Sequence, residues 1–93
     1  MLEKDIEAKL RKRVKELGGR AYKFVSPGNS GVPDRIIVLP GRKIGFAETK
    51  KLGETARKQQ ERQIKFLQNL GFIAEVIDKA EDIEPFLQRI LNQ

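Results

Sequence analysis

Four consecutive apolar residues, Ile36-Ile37-Val38-Leu39, run directly into Pro40-Gly41-Arg42, and the chain then continues Lys43-Ile44-Gly45-Phe46-Ala47-Glu48-Thr49-Lys50. An unbroken apolar run of this length, bounded by turn residues, reads as a strand covered on both faces. The Pro-Gly-Arg tripeptide predicts a hairpin that returns the chain as a second strand from Lys43 to about Lys50. A strand buried on both sides requires layers above and below it, so the pattern points to a sheet flanked by helices.

The remaining segments supply those layers. Leu2, Ile6, Leu10, Val14 and Leu17 recur at helical spacing, predicting a first helix over about 2–17 that ends at Gly18-Gly19. Arg20 to Val25 is rich in β formers and reads as a strand, and Ser26-Pro27-Gly28-Asn29-Ser30-Gly31 is a loop. After a loop around Gly53, a second helix is expected over about 56–70 with Gly71 as its C-cap, then a strand from Ile73 to Ile77. Ile83, Phe86, Leu87, Ile90 and Leu91 predict a last helix beginning near Ala80. The order αβββαβ with a C-terminal helix defines an α/β fold, a mixed sheet flanked by helices, and a single domain over 1–93.

Within this frame three charged residues stand out. Strand alternation puts Ile44, Phe46, Glu48 and Lys50 on one face, where a charge is costly unless paired or metal-bound. A three-residue hairpin loop pairs Leu39 with Lys43 and so sets Asp34 opposite Glu48, with Cβ atoms about 4.5–5.5 Å apart. Two carboxylates that close repel unless one is protonated or both share a cation. A purely structural reading is also open, with Asp34 capping the Pro33 turn and Glu48 and Lys50 forming an ion pair. Two further residues bear on the choice. Glu7 lies about 20° from Val14 on the helical wheel, at the flank of the apolar stripe. Glu3 shares that stripe, although an acid at a helix N-terminus is stabilised by the dipole and needs no other role. Gln60 forms an inward row with Ile64 and Leu67, with Gln63 as the neighbouring candidate, and a buried glutamine amide needs partners.

Composition restricts the chemistry these residues can perform. The 93-residue chain has no cysteine and no histidine. Disulfides, thiolate or imidazole zinc sites and Ser-His-Asp catalysis are therefore excluded. A metal would have to be held by oxygen ligands, which favours Mg²⁺ or Mn²⁺. Nineteen Lys and Arg against thirteen acids give a net charge of +6, an electrostatic footprint for polyanions, though many small basic proteins bind none. No apolar run approaches the roughly 18–20 residues of a membrane span. Met1-Leu2-Glu3-Lys4-Asp5 lacks a signal-peptide layout. The expected location is the cytoplasm of a bacterial or phage-infected cell, with no membrane partner and no small-molecule cofactor.

Asp5-Ile6-Glu7, Lys23-Phe24-Val25-Ser26-Pro27-Gly28, Gly31-Val32-Pro33-Asp34-Arg35, Phe46-Ala47-Glu48-Thr49-Lys50, Gln60 and Leu70-Gly71-Phe72 together resemble the VRR-NUC (virus-type replication-repair nuclease) domain. That domain is a branch of the PD-(D/E)XK, restriction-endonuclease-like superfamily, and the resemblance covers almost the whole chain. Thr49 stands where the family usually carries an aliphatic residue. The resemblance implies that Asp34, Glu48 and the Thr49 carbonyl bind Mg²⁺ or Mn²⁺, with Glu7 completing the cluster, and that Glu7, Asp34, Glu48, Lys50 and Gln60 form the catalytic set. It also implies a homodimer that cuts branched DNA such as Holliday junctions, with flaps, nicks or plain duplex as alternatives. A non-catalytic DNA-binding module of the same fold is the remaining reading. The small residues of the 26–31 loop allow close backbone approach to phosphate. Candidate DNA contacts are accordingly Lys23, Ser26, Gly28, Ser30 and Arg35. The basic run Lys9, Arg11, Lys12, Arg13 and Lys15 reads either as a solvated helix face or as a further DNA contact.

Overall fold

The hairpin forms as its turn residues require. In the computed structural model, which describes residues 1–93, Gly41 and Arg42 adopt φ of 82° and 63°, and Leu39 pairs with Lys43. Four strands make one sheet in the order β1 (Arg20–Lys23), β2 (Arg35–Leu39), β3 (Lys43–Thr49) and β4 (Ile73–Ile77). The first three are antiparallel, and β4 is parallel to β3. The parallel pair needs a crossover, which is α2 (Lys58–Asn69). Helix α1 (Glu3–Glu16) precedes the sheet, and a 3-10 turn at Ala80–Asp82 leads into α3 (Ile83–Leu91). No helix is long and apolar enough to cross a membrane.

The two faces of the sheet are unequally filled. On one, Ile6, Leu10 and Val14 of α1 and Ile83, Phe86, Leu87 and Ile90 of α3 pack with Ile37, Leu39, Ala47 and Ile77 as one buried cluster. Gly45 gives α3 its seat, because a Cβ there would lie 2.4 Å from Ile90 Cδ1. On the other face the buried apolar cluster is limited to Phe46, Ile64 and Ala74, with Phe24, Ile36, Leu67 and Val76 partly covering them. Tyr22, Ile44, Phe66, Leu70 and Phe72 in this α2-side layer remain exposed. Surface ion pairs such as Arg13–Glu84 and Arg89–Glu75 tie α3 to α1 and β4, but exposed pairs contribute about 0–1 kcal/mol each. The core decides the fold.

Boundaries shift from the sequence expectation for local reasons. β1 stops at Lys23 because Val25 is 72% exposed and Ser26-Pro27 begins the turn, although the Phe24 amide still donates to the Asp34 carbonyl at 2.8 Å. α2 starts at Lys58, two residues later than expected, because Arg57 is extended and its amide donates to Gln60 Oε1 at 2.9 Å. β3 ends at Thr49, while the Lys50 amide adds one more bond to the Ile77 carbonyl.

Candidate active site

Asp34 directly precedes β2, held there by the buried Pro33. Its carboxylate is gripped by a single residue: Oδ1 accepts the Thr49 amide at 3.2 Å and Oδ2 accepts the Thr49 hydroxyl at 2.7 Å. Within a strand a residue's N–H and C=O leave along the same edge, so the Thr49 carbonyl also opens toward Asp34. The β2–β3 register from Leu39–Lys43 to Arg35–Ala47 is the one the hairpin predicts. Alternation does not, however, set the direction of a side chain just outside the ladder. Asp34 turns toward Thr49 and α1, where the carboxylate oxygens of Glu3, Glu7 and Asp34 lie within 4.8 Å of one another.

Glu48 belongs to the adjoining, α2-side half of the site. Its Oε2 accepts Gln60 Nε2 at 3.0 Å and lies 3.6 Å from Lys50 Nζ, all three residues being buried. Gln60 satisfies its other end with the Arg57 amide, so one side chain both starts α2 and fixes a site carboxylate. Gln63, by contrast, donates to the Ser30 carbonyl and serves the loop.

Burial raises the proton affinity of these carboxylates. Asp34 is pushed up by desolvation, against which the two Thr49 hydrogen bonds work; Glu7 adds to the rise and Arg35 opposes it. Glu48 is raised by desolvation and by the charge of Asp34, with Lys50 opposing. Glu3, although exposed, is raised by partial desolvation and then by Asp34. The nearest cations are already engaged, Lys50 with Glu48 and Arg35 with Glu7, leaving Glu3 and Asp34 without a charge partner. A set of oxygen donors carrying excess negative charge fits a hard divalent cation such as Mg²⁺ or Mn²⁺.

Not every candidate stands where a DNA contact would need it. Arg35 turns inward at 12% side-chain exposure, with Nη2 2.5 Å from Glu7 Oε1, Nη1 donating to the Ala21 carbonyl at 3.3 Å, and Nε buried without a partner. It positions Glu7 rather than presenting a free cation to a duplex. Ser30 donates to Gln59 Oε1 at 2.8 Å, and Gly31 packs so closely on α2 that a Cβ would meet the Gln59 carbonyl carbon at 2.8 Å. Ser26 accepts from the Asn29 side-chain amide. Gly28 sits in open space at φ 82°, and Lys23 is exposed. Sequence reasoning raised Glu3 but left it to the helix dipole rather than beside Asp34, and it missed the engagement of Arg35 by Glu7. The i, i+4 spacing of Glu3 and Glu7 was the available signal for the Glu3 placement.

No family model matches the chain. The protein named "Putative nuclease p44", from Acyrthosiphon pisum secondary endosymbiont phage 1, is 43% identical over 88 residues, spanning 95% of this chain and 94% of that protein. A solved structure described as a VRR_NUC domain superposes with a TM-score of 0.85 at 22% identity, covering 95% of this chain and 97% of its own. A second, described as a VRR_NUC domain protein, gives 0.78 at 20% identity over 99% of this chain and 89% of its own. With near-full-length identity to the phage protein and the VRR_NUC fold, the chain belongs to the VRR-NUC nuclease family.

Proposed function

We propose that the protein is a divalent-cation-dependent endodeoxyribonuclease that cuts branched DNA of the Holliday-junction type as a homodimer, in the cytoplasm of a bacterial or phage-infected cell. The observation that carries the chemistry is the convergence of Glu3, Glu7 and Asp34 beside Glu48, Lys50 and Gln60 in a chain with net charge +6. Asp34, Glu7 and Glu48, with Glu3 and the Thr49 carbonyl in reach, are the residues that would hold Mg²⁺ or Mn²⁺. When bound, such a cation neutralises phosphate charge and acidifies water. The protein's own contribution is placement. Thr49 fixes Asp34, Arg35 fixes Glu7 and Gln60 fixes Glu48. Lys50 Nζ is available to orient the attacking water and to stabilise charge developing on the scissile phosphate. Labelled four-way junction, flap and linear duplex, incubated with Mg²⁺, Mn²⁺ or EDTA, test the reading directly. Binding without metal-dependent cleavage would make the domain a binding module; cleavage of flap or duplex in preference to junction would move the substrate.

The raised carboxylates give the metal dependence a sign. Asp34, Glu48 and Glu3 hold protons more tightly folded than unfolded. Stability therefore falls as pH rises from the ordinary carboxylate value through the raised one, and the penalty persists above it. A cation binding the ionised cluster offsets that penalty only where the carboxylates are ionised. Mn²⁺ at a hundredfold excess over Kd should add about 2.7 kcal/mol. In melting experiments against EDTA, the gain should be full at neutral pH and vanish as pH falls through that window. An equal gain in acid, or none at neutrality, would place the metal elsewhere.

The α2-side apolar layer supports the dimer. Phe66 of α2 and Leu70 at its C-cap are 61% and 60% exposed, next to a sheet face whose Tyr22, Ile44 and Phe72 are also open. A two-fold pairing of this layer would cover it and supply two active sites to a junction. Phe66→Asp with Leu70→Asp should convert a dimer in sedimentation velocity to a folded monomer. Unchanged sedimentation would assign the dimer to another face.

A further inference from the structure

Of the five cations between Lys9 and Lys15 in α1, the structure treats two differently from the rest. Arg13 is engaged by Glu84 and Glu16, and Lys9 and Lys12 stand apart on the solvent side. Arg11 and Lys15, together with Arg20 of β1, line a cavity of about 280 Å³ whose floor is Gly19 and Ala21. No acid lines it, and none of its three cations has a carboxylate partner within 4.0 Å. The comparable basic hollow on α2, formed by Lys58, Arg62 and Lys65, contains Glu61.

Helix α1 and Arg35 connect the cavity to the active site. Glu7, Arg11 and Lys15 follow one another at i, i+4 spacing along one flank of α1. The Arg35 guanidinium bridges Glu7 to the carbonyl of Ala21, which is part of the cavity floor. At about 1.5 Å per residue, Arg11 and Lys15 lie roughly 6 and 12 Å along the helix from Glu7. A DNA strand carries one phosphate per about 3.4 Å of axis, so the row spans about two to four phosphates. β1 is also an edge strand of the sheet, so one side of its main chain has no strand partner. The glycine at 19 is needed for packing on β2, since a Cβ there would lie 2.2 Å from the Val38 carbonyl oxygen.

We propose that Arg11, Lys15 and Arg20 form a phosphate track that holds the DNA strand leading away from the Glu7–Asp34 cluster, without reading its sequence. The nature of the ligand rests on the nuclease reading above; the track itself rests on the uncompensated cavity. Charges on an edge strand also discourage edge-to-edge pairing, and the test separates the two roles.

Anisotropy titrations of labelled duplex and junction with Ca²⁺ in place of Mg²⁺, over a series of salt concentrations, measure binding without requiring cleavage. Arg11→Gln/Lys15→Gln/Arg20→Gln should weaken binding at least tenfold at low salt and flatten the log–log salt slope by about 2–3, at roughly 0.9 per lost phosphate contact. The exposed off-track triple Lys9→Gln/Lys12→Gln/Lys79→Gln removes the same charge and should change the slope by less than about 1. Equal effects of the two triples would reduce the track to net charge, and an unchanged slope in the first would overturn it, provided circular dichroism shows both folded. A protein that binds through these residues yet cuts nothing would retain the track and refute the nuclease reading. Mg²⁺-dependent cleavage with unaltered salt dependence in the first triple would do the reverse.

Discussion

Asp34→Asn should lower Mg²⁺-dependent DNA cleavage by about 10²–10⁴-fold, the range associated with losing a single catalytic group, while leaving the protein folded and able to bind DNA. The substitution keeps the shape that Thr49 grips but removes the charge that faces Glu3 and Glu7. Because burial raises the proton affinity of this carboxyl, its neutral replacement should not destabilise the cation-free protein, and the cation-induced gain in melting temperature should be lost. Lys50→Ala provides the complementary case. It removes the ammonium 3.6 Å from Glu48 and leaves that carboxylate buried with only Gln60. Cleavage should fall by about 10²–10³-fold, with a loss of stability because a buried charge is left uncompensated. Single-turnover cleavage of a labelled junction reads both variants. Activity within tenfold of the parent in either would remove that residue from the assigned site.

Phe86→Ala should have the largest effect on stability. Phe86 is fully buried in α3, within the larger of the two clusters. Truncation of a buried phenylalanine costs about 3–5 kcal/mol. A domain of this length has about 5–14 kcal/mol in total at 0.05–0.15 kcal/mol per residue. The variant should therefore lose about a fifth or more of its stability in urea unfolding, measured at fixed protein concentration because dimerisation adds to apparent stability. A loss below about 1 kcal/mol would mean that α3 is not part of the cooperative unit.

The architecture was legible in the sequence where local chemistry decides it. Pro40-Gly41-Arg42 fixed the hairpin register, because Gly41 and Arg42 can take the left-handed conformation that a short loop demands. Apolar spacing located α1, α2 and α3, since burial of one helix face leaves a periodic trace. The site was legible only in part. Strand alternation brought Glu48 and Lys50 to the α2 side, where Gln60 meets them. It could not show that Asp34, one residue outside the ladder, turns to Thr49. Nor could it rank Glu3 against Glu7, because both lie on the same flank and the docking of α1 on the sheet determines their reach. Arg35 stood as a candidate DNA contact because nothing in its neighbours reveals that α1 delivers Glu7 to it. Such contacts are set by packing between elements distant in sequence.

The unequal filling of the sheet has a consequence for how this protein can change. Its folding free energy is concentrated on the α1–α3 side, whereas Gln60, the 26–31 loop and the open apolar layer lie on the thinly packed side. Substitutions there draw on a small share of the total stability. The α2 layer can therefore be remodelled for a new substrate shape or a new partner while the opposite face keeps the chain folded. In this molecule adaptability and robustness occupy opposite faces of one sheet, and the carboxylates meet at its rim.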